Sequence, residues 1–223
     1  MKRILLLIFS VMSIIHVEAQ RPQWMIDSLS AAKAELAQHP DSVDLMLKKA
    51  AWNLQLGDWD YAKIEYDKVL YRQPGNPAAL YYRAFVNTKL GRYNFARLDY
   101  TNLLTIVPGN FEAQLGLALL NDMDHHTTEA MDQINVLIEQ FPDSALAYAA
   151  RAGMEEGRDQ LLLAEYDYTQ AIIRDPNNTD YILSRINVYI EEKKYTLAKR
   201  DLDILVQKGM PRSSLADLYQ KCK

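Results

Sequence analysis

PAALYYRAFVNTKLGRYNFARLDYTNLLTIVP, from Pro77 to Pro108, holds two helical patterns joined at Leu90-Gly91-Arg92 and closed by a proline. In the first pattern Leu80, Ala84 and Asn87 recur at steps of four and three, and in the second Ala96, Tyr100, Leu103 and Leu104 do the same. That spacing gathers each set on one helix face. Neither helix can bury its stripe alone, so each requires a neighbour of the same kind.

Working outward, the chain supplies such neighbours. Prolines stand at 40, 74, 108, 142 and 176, each 34 residues from the last, and Pro211 is one residue late. A fixed period of this length marks stacked helix-turn-helix units. One slot is always alanine, at Ala62, Ala96, Ala130, Ala164 and Ala198; another reads Ala50, Ala84, Ala118, Ala152 and then Ile186. Small residues let two helix backbones approach closely. Four residues after the constant alanine comes bulk: Tyr66, Tyr100, Ile134, Tyr168, Leu202. Gly57 and Gly91 end their first helices, where glycine accepts a left-handed cap; His125, Asp159 and Lys193 stand there in later units.

Ala84…Gly91…Tyr93…Ala96…Tyr100…Pro108 and Ala50…Gly57…Trp59…Ala62…Tyr66…Pro74 resemble the tetratricopeptide repeat family. The resemblance covers residues 43–211. It implies an all-α solenoid of stacked helix-turn-helix repeats wound into a right-handed superhelix. The units fall at 41–74, 75–108, 109–142, 143–176 and 177–211, with capping helices expected in 20–40 and 212–223. Asp41, Asn76, Asn110, Asp143 and Asn177 are the short polar residues that turns and N-caps favour.

Residues 1–19 read as a signal peptide. Lys2-Arg3 is basic, Ile4–Ile15 is an apolar run of twelve, and Val17-Glu18-Ala19 offers a small-residue exit before Gln20. Twelve residues fall short of the about 20 needed to span a bilayer; an uncleaved anchor is the competing reading. Losing Lys2, Arg3 and Glu18 takes the net charge from −4 to −5. An acidic chain without a basic cluster is not built to neutralise phosphates, which excludes nucleic acid as the expected partner. The single cysteine, Cys222, permits no intrachain disulfide. The expected location is a bacterial periplasm or cell envelope, with no membrane span once the leader is cleaved.

One slot carries a base, at Lys49, Arg83, Arg151 and Arg185, and sixteen residues later another carries an acid, at Glu65, Asp99, Asp167 and Asp201. The unit that has lost its base, at Leu117, has also lost its acid, at Gln133. Within one sequence this is co-variation, and it predicts an ion pair between the two helices of a unit or of neighbours. A cationic ladder gripping an acidic ligand is the rival reading, weakened by the matched acids.

In the resembling family the first helices line a concave groove that binds peptides. The corresponding positions here are Leu47, Ala51 and Leu54, then Tyr81, Phe85 and Lys89, then Leu115, Leu119 and Asp122, with Ala149, Gly153 and Glu156 and finally Leu183, Asn187 and Ile190. Apolar residues dominate, so the resemblance implies capture of an apolar helix or extended segment of a partner protein rather than a carboxylate clamp. The alternative is a groove filled by its own side chains or segment, the outer face then joining copies as a homo-oligomer. Asn53, Asn87 and Asn121, followed by Glu155 and Tyr189, also repeat at 34; they are expected to bridge adjacent units or to meet a bound peptide backbone.

Asp122-Met-Asp-His-His-Thr-Thr-Glu129 places acids and histidines at one turn, on which a metal-binding or enzymatic alternative could be built. Adjacent histidines point about 100° apart on a helix, which disfavours it. No glycine-rich phosphate loop, nucleophile elbow or HExxH is present. The reading is a non-catalytic scaffold without cofactor or metal.

Overall fold

The paired patterns become paired helices in the computed structural model, which describes residues 21–222; the expected leader lies outside them. After α1 (Gln23–Gln38) come α2 (Val43–Gln55) with α3 (Trp59–Arg72) and α4 (Pro77–Lys89) with α5 (Tyr93–Ile106). Next are α6 (Phe111–Met123) with α7 (Thr127–Gln140), α8 (Ala145–Glu156) with α9 (Leu161–Arg174), and α10 (Thr179–Glu191) with α11 (Tyr195–Gln207). A 3-10 turn, Arg212–Leu215, leads into α12 (Ala216–Lys221). Among the described residues there is no strand, and no helix is long and apolar enough to cross a membrane.

Each pair forms because its ends are specified. The first helices open on Ser42, Asn76, Asn110, Ser144 and Asn178, whose side chains accept a backbone N–H two or three residues on. At three of these the cap lies one residue beyond the expected Asp41, Asp143 and Asn177, since both members of each polar doublet can turn the chain. The turns between paired helices all pass through left-handed backbone. Gly57 and Gly91 have φ of 74° and 68°, and His125, Asp159 and Lys193 have 61°, 59° and 59°. The loss of glycine has not changed the turn: Asp58 N–H bonds Asn53 O at 2.8 Å, and Lys194 N–H bonds Tyr189 O at 2.7 Å in the same way.

All five alanines at 62, 96, 130, 164 and 198 are fully buried, as are Ala50, Ala84, Ala118, Ala152 and Ile186. Apolar burial is divided into several clusters along the stack rather than one centre, as nearest-neighbour packing demands.

The base and acid slots meet. Lys49 Nζ donates to Glu65 at 2.8 Å, and Arg83, Arg151 and Arg185 each grip their own unit's aspartate through Nε and Nη2. The remaining Nη1 reaches back to the preceding unit: Arg83 to Asp67 at 2.7 Å, Arg151 to Asn135 at 2.8 Å, Arg185 to Thr169 at 2.9 Å. Each arginine therefore ties two units together. Tyr219, sixteen residues after Asp203, fills the same place beyond the fifth unit and donates to Asp203 at 2.5 Å. Between the second and third units Leu117 leaves the place apolar, and Arg97 ties the junction from the other helix, to Asn121 at 3.0 Å and Asp124 at 2.6 Å.

Candidate functional site

The first helices of the middle units enclose a cleft of about 330 Å³. Tyr81, Phe85 and Lys89 enter it from α4, Leu115 and Leu119 from α6, and Leu146 from α8. The walls hold each other. Tyr81 meets Tyr82 and Tyr100 edge-on at 5.1 and 6.1 Å, and Phe85 meets Trp59 at 6.2 Å. Lys89 Nζ lies 5.2 Å from the centre of the Phe85 ring, a favourable cation–π placement. Burial pushes the phenols of Tyr81 and Tyr100 above their ordinary range, so both stay neutral donors beside the cleft.

Gly116 shapes the floor. A Cβ there would lie 2.6 Å from the Tyr100 ring, so only glycine lets that ring reach α6. Glu112 and Lys89 are the charged groups at its edge; apart from Thr88, the rest is hydrocarbon and aromatic surface suited to an apolar guest.

Not all expected positions come together here. Leu47 and Leu54 pack into the core of the first units and Leu183 into that of the fifth; Ala51 is half-buried and lines no part of the cleft. Asp122 is turned away and bound by Arg158 at 2.5 Å, tying the third unit to the fourth. Phe111, Met123, Leu146 and Gly116 line the cleft without having been singled out, and Tyr100, expected only as packing bulk, lines it too. Phe111 and Met123 lie four residues before Leu115 and after Leu119, so extending the helical spacing by one turn each way finds them.

The repeating amides do not face the groove. Asn53, Asn87 and Asn121 are buried. Asn87 donates to Asp99 at 3.3 Å and Asn121 to Gln133 at 2.9 Å, each inside its own unit. Only Asn121, by accepting from Arg97, also bridges units. Glu155 takes the slot in the fourth unit, where burial first and neighbouring Asp167 second push its carboxyl up to about 7.

At the third unit's turn, Arg158 and Arg97 neutralise Asp122 and Asp124. Among the described residues no group of three or more His, Cys, Asp or Glu could hold a metal ion.

Stacked helix pairs with a cleft on the first helices define an all-α repeat solenoid. No family model matches this sequence, nor does any curated protein. Solved structures do match. A tetratricopeptide repeat protein from Parabacteroides merdae is 20% identical with a TM-score of 0.76, covering 91% of this chain and 79% of that one. A thermophilic TPR protein of Thermus thermophilus is 17% identical with a TM-score of 0.65, covering 81% and 98%. YrrB, described as a TPR protein with an unusual peptide-binding site, is 15% identical with a TM-score of 0.53, covering 81% and 93%. The chain has the tetratricopeptide-repeat fold, one commonly used for protein–protein interaction.

Proposed function

We propose that this protein is an exported, non-catalytic scaffold of the cell envelope that holds an apolar segment of a partner protein against α4, α6 and α8. The observation that carries this reading is the continuous apolar wall running from Phe85 on α4 through Leu119 on α6 to Leu146 on α8. Two members, Leu119 and Met123, are 39% and 50% exposed, so a guest gains burial there at about 25 cal/mol per Å² of apolar surface covered. The peptide-binding site ascribed to YrrB is consistent with this use of the fold. Export rests on the basic, apolar and small-residue order of residues 1–19.

A photoreactive residue in place of Leu119 tests the site in living cells. A discrete adduct that disappears on Met123→Lys supports it; no adduct, or one indifferent to Met123→Lys, overturns it. Fractionation tests export separately, the expected product beginning at Gln20 in the envelope fraction and an intact chain in the cytoplasm refuting it.

A further inference from the structure

The outer sides of the last three second helices carry a slot that runs from acid through aromatic to base. In register at 34 residues, one slot holds Glu129, Leu163 and Leu197, and another holds Asp132, Tyr166 and Arg200. All six are exposed. Leu163 and Tyr166 are 52% and 59% exposed, joined on the same helix by Ile173 at 66%. The α9 face thus presents apolar surface to solvent, with Asp132 of the acidic α7 on one side and Arg200 of α11 on the other. α7 contains no lysine or arginine. Among the described residues, the only partner of Glu129 is His126 at 4.0 Å, while the ion pairs that reach α9 and α11 use Glu165, Asp167, Asp201 and Asp203, and none engages Asp132 or Arg200.

A twofold axis lying along the outer face of α9 matches the Asp132, Tyr166 and Arg200 slot to itself. It lays the fifth unit of one copy over the third unit of the other, because Asp132 and Arg200 stand equally far before and after Tyr166. Like charges are kept apart, and the contact between Asp132 and Arg200 is made twice. We propose that two copies of this chain associate through this face, Asp132 of each copy meeting Arg200 of the other and Tyr166 packing on its twin at the axis. The occupant is a second copy because the charges complement each other within one surface. A partner whose residues were unrelated to this chain would not require acid and base at equal register on either side of an apolar centre. The groove on the first helices remains free, so this association and the groove reading stand or fall separately.

Sedimentation of the purified chain over a concentration series, at low and high salt, tests the assembly. The expected result is a dimer that loosens as salt rises. Asp132→Arg and Arg200→Asp should each weaken it by about tenfold or more, and the two combined should restore it, since the swapped charges meet again. Tyr166→Cys should give a cross-linked dimer under mild oxidation, with buried Cys222 silent. A monomer at every concentration overturns the proposal. So does a dimer indifferent to both reversals, or one that the combined exchange fails to rescue.

Discussion

The Arg83 guanidinium meets the Asp99 carboxylate side-on, Nε to Oδ2 at 2.9 Å and Nη2 to Oδ1 at 2.7 Å, with Asp99 almost wholly buried. Desolvation pulls the arginine's pKa down, but the bonds to Asp99 and Asp67 outweigh it and raise it. Removing the base alone strands a buried carboxylate. Arg83→Leu should therefore cost about 3–5 kcal/mol, and Arg83→Leu with Asp99→Leu should cost less than that. Chemical denaturation of the two singles and the double gives the coupling energy; a value of zero removes the pair from the account.

Lys193 holds a left-handed φ of 59° in a turn where the first two units use glycine. A residue with a Cβ pays about 1–2 kcal/mol in that region. Lys193→Gly should raise stability by about 1 kcal/mol, less what the unfolded chain gains in freedom, and Gly91→Lys should lower it. Thermal melts of both variants check the pair of signs.

Gly116→Ala places a methyl group against the Tyr100 ring. Overpacking of this kind costs about 1–3 kcal/mol. Adding Tyr100→Val should recover part of the loss by withdrawing the ring. If Gly116→Ala melts like the parent, the ring does not occupy the space beneath α6.

Glu155, raised to about 7 from an ordinary carboxyl value of 4.5, binds its proton more tightly in the folded chain than in the unfolded one. Its contribution to stability is therefore best below pH 4.5 and declines as pH rises from there to about 7. Glu155→Gln, which keeps a donor beside Asp167, should be more stable than the parent above pH 7 and flatten the curve through that window. Equal pH dependence in parent and variant would show that the carboxyl titrates normally.

The repeat was legible because its signals are chemically uniform. Alanine at 62, 96, 130, 164 and 198 has one meaning, close approach, and the fold bears it out. The base and acid slots were legible because Leu117 and Gln133 vary together. The third bond of each arginine was not, since its acceptors are Asp67, Asn135 and Thr169, which share an oxygen but no residue type. Asn87 was misplaced because periodicity fixes a helix face without saying whether groove or core lies over it, whereas Asn121 does bridge units, through Arg97. The exposed centre at Leu163 and Tyr166 went unread for a related reason: a bulky residue at helical spacing looks the same whether it is buried or bare.

Leu117 leaves the second and third units as the one junction among those joining the five units where no residue of the base slot reaches back to the unit before. With Arg97 the only arginine crossing it, this junction is where bending of the solenoid is expected to concentrate. The cleft straddles that joint, with Phe85 on one bank and Leu119 on the other, so bending widens or narrows it. Amide exchange faster in α5 and α6 than in α8 and α9 is the signature of such compliance; uniform protection would mean that Arg97 stiffens the joint as well as the clamps do elsewhere.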